Sequence, residues 1–248
     1  MVYDKIMMQI EICTSSVEGA CIAQAAGACR IELCCGLCQG GLTPSAALIS
    51  SAVQNVAIKV YVLIRPRGGD FLYSDAEFEI MKSDIHYCGQ NGCGGVVIGM
   101  LRPNGTVDME RCQALVHIAH RYGMGVTFHR AFDRSCNLFT AAQDIIALGC
   151  ERILTSGGYN TALEGAEVIR ELMQQVRNKI IIMPGSGITA QNAGTLIKMT
   201  GLKELHGTFR TLCDSKMQYK NTKLNYQEAE YTTDLPDAEQ IKHILSIV

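Results

Sequence analysis

The chain has 248 residues, 48% of them apolar and 19% charged, with a formal net charge of −2. That balance suits a folded protein with a substantial core, and it offers neither a basic stripe for nucleic acid nor a polybasic face for a membrane. No apolar run approaches the roughly 20 residues needed to cross a bilayer, and Met1-Val2-Tyr3-Asp4-Lys5 lacks the apolar core of a secretory leader, so a cytoplasmic protein is expected. Strand-like runs recur at about residues 8–13, 29–34, 57–65, 94–99, 124–129, 151–155, 179–184 and 203–207. Segments of helical periodicity lie between most of them. Thr14-Ser15-Ser16 caps the helix that carries Ala20, Ile22, Ala23 and Ala26, and Thr43 ahead of Pro44 starts the next. Ser74-Asp75 opens the helix of Phe78 and Ile85, Asp108 that of Leu115 and Ile118, and Thr189 that of Ala193 and Ile197. Eight strands alternating with helices predict an α/β fold, a single-domain (β/α)8 TIM barrel over residues 1–248, with an open doubly wound sheet as the alternative. From about residue 209 the pattern loosens into a polar, Tyr-containing tail, and only 238–247 reads as helix again, so the eighth helix is expected to be irregular.

Alternation along a strand decides which side chains face the barrel axis. Ile10 and Ile12 suit the helix-facing side, which turns Gln9, Glu11 and Cys13 inward; Ile31 and Leu33 do the same for Arg30, Glu32 and Cys34. The third strand runs into Arg65-Pro66-Arg67-Gly68-Gly69-Asp70, the fifth directs Thr127 and His129 inward ahead of Arg130 and Asp133, and the eighth directs Glu204 and His206 inward. An unpaired buried ion costs several kcal/mol, so such a cluster either pairs with itself or surrounds a polar ligand. Glu11, Glu32, Arg65, Arg67, His129, Arg130, Asp133 and His206 are therefore the candidates for proton transfer and for clamping an anion. Two glycine turns, Thr155-Ser156-Gly157-Gly158 and Gly185-Ser186-Gly187, expose backbone N–H groups that suit phosphate or carboxylate, with Ser156, Gly157, Gly185 and Gly187 as the contacts.

Twelve cysteines in a chain of this size without a leader read as reduced thiols, mostly small buried hydrophobes, rather than as a disulfide framework. Cys35-Gly36-Leu37-Cys38 is a CxxC without a partner pair, which does not predict structural zinc.

Several ordered motifs together resemble the CutC copper-homeostasis family over nearly the whole chain. They are Glu11-Ile12-Cys13, Gly27-Ala28-Cys29-Arg30-Ile31-Glu32-Leu33-Cys34, Gly40-Gly41-Leu42-Thr43-Pro44-Ser45 and Ile64-Arg65-Pro66-Arg67-Gly68-Gly69-Asp70-Phe71. Thr127-Phe128-His129-Arg130-Ala131-Phe132-Asp133, Leu154-Thr155-Ser156-Gly157 and Pro184-Gly185-Ser186-Gly187 continue the series. The resemblance implies a cytosolic (β/α)8 barrel, homo-oligomeric as a dimer or larger, linked to copper tolerance and attached to no settled reaction. It also puts forward Cys13 and Cys34 as ligands for Cu(I), a soft ion that prefers thiolate. Cys29 stands where the family pattern has Asp, and Cys35 and Cys38 add thiols beyond that pattern. Two expectations follow. One is a copper-homeostasis protein that binds Cu(I) through Cys13 and Cys34, without an organic cofactor; the other is an enzyme acting on a small anionic metabolite, a phosphate or a carboxylate.

Overall fold

In the computed structural model, which describes residues 8–221, 223 and 228–247, the first strand is β1 (Gln9–Thr14). Ile10 and Ile12 are fully buried against the helical layer, and Glu11 and Cys13 face the barrel axis. The same alternation builds β2 (Arg30–Leu33), β3 (Lys59–Leu63), β4 (Gly95–Ile98) and β5 (Gly125–Phe128). It continues through β6 (Arg152–Thr155), β7 (Ile181–Pro184) and β8 (Glu204–Gly207). All pairings in this sheet are parallel, in the order β7-β6-β5-β4-β3-β2-β1-β8, and β7 packs beside β8 to bring the ring round. The fold is the expected (β/α)8 barrel, not the open sheet. No helix among the described residues is long and apolar enough to cross a membrane. The reading of Met1 to Lys5 lies outside the described residues.

The helices are α1 (Val17–Ala25), α2 (Ala46–Asn55), α3 (Asp75–Gln90), α4 (Met109–Arg121), α5 (Leu138–Leu148), α6 (Ala166–Val176), α7 (Ala193–Thr200) and α8 (Ala238–Ser246). Ser16, Ser74 and Asp108 cap α1, α3 and α4 as their side chains predict, each accepting from a first-turn backbone N–H. Two start signals are corrected. Ser45, not Thr43, caps α2 by accepting from Leu48 N at 3.2 Å, because the Thr43 hydroxyl is used to accept from Arg65 N at 2.8 Å. At α7 the Thr189 side chain caps nothing; its own N–H is capped by Asn192 at 2.8 Å, and the helix begins after Asn192.

The region after residue 209 is more ordered than its composition indicates. β9 (Arg210–Asp214) and β10 (Thr232–Pro236) pair antiparallel as a separate two-stranded ribbon, packed on α1 and leading into α8. Most β9 side chains are exposed, so neither face carries the apolar alternation that marks a half-buried strand.

Two glycines shape the barrel interior. A Cβ on Gly95 would lie 2.3 Å from the Tyr61 ring, and one on Gly125 would lie 2.2 Å from its hydroxyl. Their missing side chains let Tyr61 cross the barrel.

Candidate functional site

Charge fills the lower barrel as a closed network. Arg30 donates to Glu11 and, at 2.9 Å, to Glu204, with its guanidinium 5.2 Å from the centre of the Tyr61 ring. Arg152 donates through Nε to Glu204 at 2.8 Å and through Nη1 to Glu151, which also accepts from the Tyr61 hydroxyl. Burial alone would favour a neutral Glu11, but Arg30 and His206 outweigh it and hold the carboxyl at about 2. The network is thus a set of ions satisfied by one another.

The chemistry changes one layer higher. Glu11 and His206 are register partners, and His206 Nδ1 lies 2.8 Å from Glu11 Oε1, which fixes the ring so that Nε2 stands 3.6 Å from Glu32 Oε2. Burial opposes a charge on His206, yet the bond to Glu11 and the nearby Glu32 raise its pKa; burial and the Glu11 charge raise that of Glu32, against the pull of His206. Cys13 faces Glu32 across the β1–β2 ladder, and its Sγ lies 3.5 Å from Cys34 Sγ. One ligand atom each from Cys13, Glu32 and His206 falls within 4.8 Å of the others. Hydrogen bonding to Cys34, burial and the neighbouring Glu32 push the Cys13 thiol up, so the uncharged thiol is favoured.

These groups form one side of a cavity of about 360 Å³ at the carboxyl ends of the strands. Gly41 closes the loop after β2 down onto it: a Cβ there would sit 2.7 Å from Leu63 and 3.9 Å from Cys34 Sγ. Across the cavity stand Arg65, Phe71 and His129. Arg65 donates to the carbonyls of Gln39 at 2.8 Å, Gly41 at 2.7 Å and Gly69 at 2.9 Å, which ties the loops after β2 and β3 together. His129 is buried over Gly99, where a Cβ would come within 2.5 Å of the imidazole.

Comparison with known proteins decides the lineage. The model of the CutC family matches residues 8–211. A CutC family protein of Pasteurella multocida is 48% identical over 212 residues, 86% of each chain, and the human copper homeostasis protein cutC homolog is 41% identical over 96% of this chain and 88% of its own. The crystal structure of CutC from Streptococcus agalactiae superposes with a TM-score of 0.77 at 35% identity, covering 82% of this chain and 99% of that one. The chain belongs to the CutC family.

Within this CutC-family barrel the candidate residues separate into two groups. Glu11, Glu32, Cys13, Cys34, Arg65, His129 and His206 are all buried, and all but Glu11 line the cavity directly. Arg67 does not join them: it turns away to Glu77 at 2.6 Å, Asp70 at 3.0 Å and the Leu72 carbonyl at 2.6 Å, bracing the start of α3. Asp133 is engaged too, since it accepts from Arg130 Nε at 2.7 Å, Thr155 Oγ1 at 2.5 Å, Ser156 N at 3.0 Å and Gly158 N at 3.0 Å. The expected anion cradle at Ser156 and Gly157 is therefore filled by the protein's own carboxylate, and Gly157 N donates to Thr155 Oγ1. At the other turn, Gly185 N donates to the Thr155 carbonyl, and the missing Gly185 side chain makes room for Leu154 and His206. Gly187 adopts a left-handed conformation with φ of 67° and packs beside Thr161. Cys35 donates to the Thr43 carbonyl, Cys38 is exposed, and Cys29 lies near Gln9 at the opposite end of β1.

Sequence reasoning passed over Arg152, Glu151 and Tyr61. The alternation rule applied to β6 and β3 turns Arg152 and Tyr61 inward and would have found both. Glu151 precedes its strand and has no such signal.

Proposed function

We propose that this protein handles copper by binding Cu(I) between Cys13 and Cys34 in a reducing, cytoplasmic setting. The observation that carries the reading is the thiol pair, two sulfurs 3.5 Å apart where neighbouring strands end, both shielded by the barrel and opening on one cavity. Cu(I) favours soft thiolates and tolerates few ligands, so two converging sulfurs suffice to hold it. Hard or borderline ions prefer more donors in fixed geometry. The copper-homeostasis names carried by relatives at about 41% identity support the same reading.

The neighbouring residues give the pair a role for the ion. Glu11 orients His206 as carboxylates orient metal-binding histidines, so Nε2 and the Glu32 carboxylate stand beside the Cys13 sulfur. The ionic network beneath keeps Glu11 in place, and the loop carrying Gly41 packs close to Leu63 and Cys34.

The test is a Cu(I) titration of fully reduced protein in competition with a chromophoric chelator. Wild type and a C35A/C38A variant are expected to bind one ion with equal affinity, and C13S/C34S to lose it by about two orders of magnitude or more. Equal affinity in wild type and C13S/C34S sinks the reading.

A further inference from the structure

Not every buried carboxylate of the barrel is matched by a cation. Glu11 and Glu204 each hold an arginine, but Glu32, 5% exposed, has no arginine or lysine within ion-pairing distance among the described residues. It faces the Cys13 thiol, its register partner on β1, and His206 Nε2 at 3.6 Å, beyond the length of a hydrogen bond. Glu11 occupies Nδ1 of His206, which leaves Nε2 without a hydrogen bond among the described residues. A carboxylate buried without a cation costs several kcal/mol, so Glu32 either keeps its proton or takes a cation from outside the chain.

The surrounding geometry favours the cation. One ligand atom each from Cys13, Glu32 and His206 falls within 4.8 Å of the other two, and all three residues line the cavity. Zinc bonded to sulfur, nitrogen and oxygen at about 2.0–2.3 Å spaces tetrahedral donors about 3.3–3.7 Å apart, and the His206–Glu32 separation already lies in that range. The donors come from the ends of three adjacent strands, β1, β2 and β8, whose register sets Cys13 beside Glu32 and Glu11 beside His206. A carboxylate accepting from Nδ1 is the arrangement that presents Nε2 of a histidine to a metal. One thiolate and one carboxylate supply the two negative charges that offset a divalent ion. Cys34 Sγ, although 3.5 Å from Cys13 Sγ, stands outside this set.

We propose that Cys13 Sγ, the Glu32 carboxylate and His206 Nε2 form a second metal site, one for Zn2+, with the fourth coordination position open to the cavity. Mixed sulfur, nitrogen and oxygen donors suit this borderline ion, whereas Cu(I) favours sulfur, and calcium and magnesium take oxygen. Three protein ligands and an open position, which a water or a ligand atom can fill, are the pattern of catalytic rather than structural zinc. The site shares Cys13 with the proposed copper pair but not Cys34, so the two ions compete for one sulfur while neither reading depends on the other.

The experiment titrates Zn2+, in competition with a chromophoric chelator, into reduced metal-free protein carrying C35A/C38A, which removes the loop thiols as a rival site. That protein is expected to bind one ion, and C34S in the same background to bind it with an affinity within about threefold. E32Q and H206Q are each expected to weaken binding by about 100-fold or more, with circular dichroism reporting that they fold. Zinc K-edge X-ray absorption of the loaded C35A/C38A protein decides the matter if they do not: one sulfur neighbour and otherwise nitrogen and oxygen are expected. Zinc that fails to bind, or that shows two sulfur neighbours, overturns the proposal. So does an affinity unchanged in folded E32Q and H206Q, or a loss in C34S as large as theirs.

Discussion

Arg30 lies between Glu11 and Glu204 with almost no exposure, so its removal leaves two carboxylates buried without their cation. R30M is expected to lower stability by about 3–5 kcal/mol, the usual consequence of breaking a buried pair from one side, as read by urea denaturation at neutral pH. A loss under about 1 kcal/mol would mean that Arg152 alone can satisfy the carboxylates. The alternation of apolar and polar residues in β1, β2 and β8 was enough to point Glu11, Cys13, Arg30, Glu32, Cys34, Glu204 and His206 inward. It could not separate Arg65 from Arg67. Both follow a strand end two residues apart, and the turn between them sends one guanidinium over the cavity and the other to Glu77 and Asp70. Alternation ends where the strand ends, so the directions of side chains in the following loop depend on backbone turns that no period encodes.

At the scale of elements, the turn after β6 shows how an anion-binding motif can be satisfied from within. Asp133 accepts from two backbone N–H groups, the Thr155 hydroxyl and Arg130, and so pins that turn to the loop after β5. D133A is expected to cost about 2–4 kcal/mol, because several donors lose their acceptor at once, and to leave Cu(I) affinity within about threefold of wild type. A drop in copper affinity of tenfold or more, with the fold intact by circular dichroism, would place Asp133 in the site rather than in the scaffold. The glycine turn was legible, but the carboxylate that fills it comes from 23 residues upstream, a tertiary contact that local spacing does not reveal. The β9–β10 ribbon was missed for a related reason. With most of one strand exposed, it is stabilised by its partner strand and by α1 instead of by a patterned face of its own.

For the molecule as a whole, buried ionisable groups set the pH range of stability. The folded His129 sits at about 3 against 6.5 for an ordinary histidine, so the unfolded chain binds more protons between those values and stability falls as pH falls through that window. Glu11, lowered to about 2 from 4.5, adds its own loss only below 4.5. His206, whose pKa is raised, contributes fully below 6.5 and loses its contribution as pH rises through its folded value. Glu32, also raised, partly offsets His129, because its folded form takes up a proton earlier as pH falls. Urea unfolding is therefore expected to show His129 withdrawing up to about 2–3 kcal/mol between pH 6.5 and 4.5, and H129Q is expected to be flatter over the same interval. An identical slope in H129Q would mean that the imidazole is not held neutral. Cys13 Sγ and Cys34 Sγ lie 3.5 Å apart at the cavity, and copper K-edge X-ray absorption of protein loaded with one equivalent of Cu(I) tests the proposed copper site most directly. The spectrum is predicted to show two sulfur neighbours in wild type and in C35A/C38A, and none beyond background in C13S/C34S. Sulfur ligation that persists unchanged in C13S/C34S, or is missing from wild type, would contradict the account.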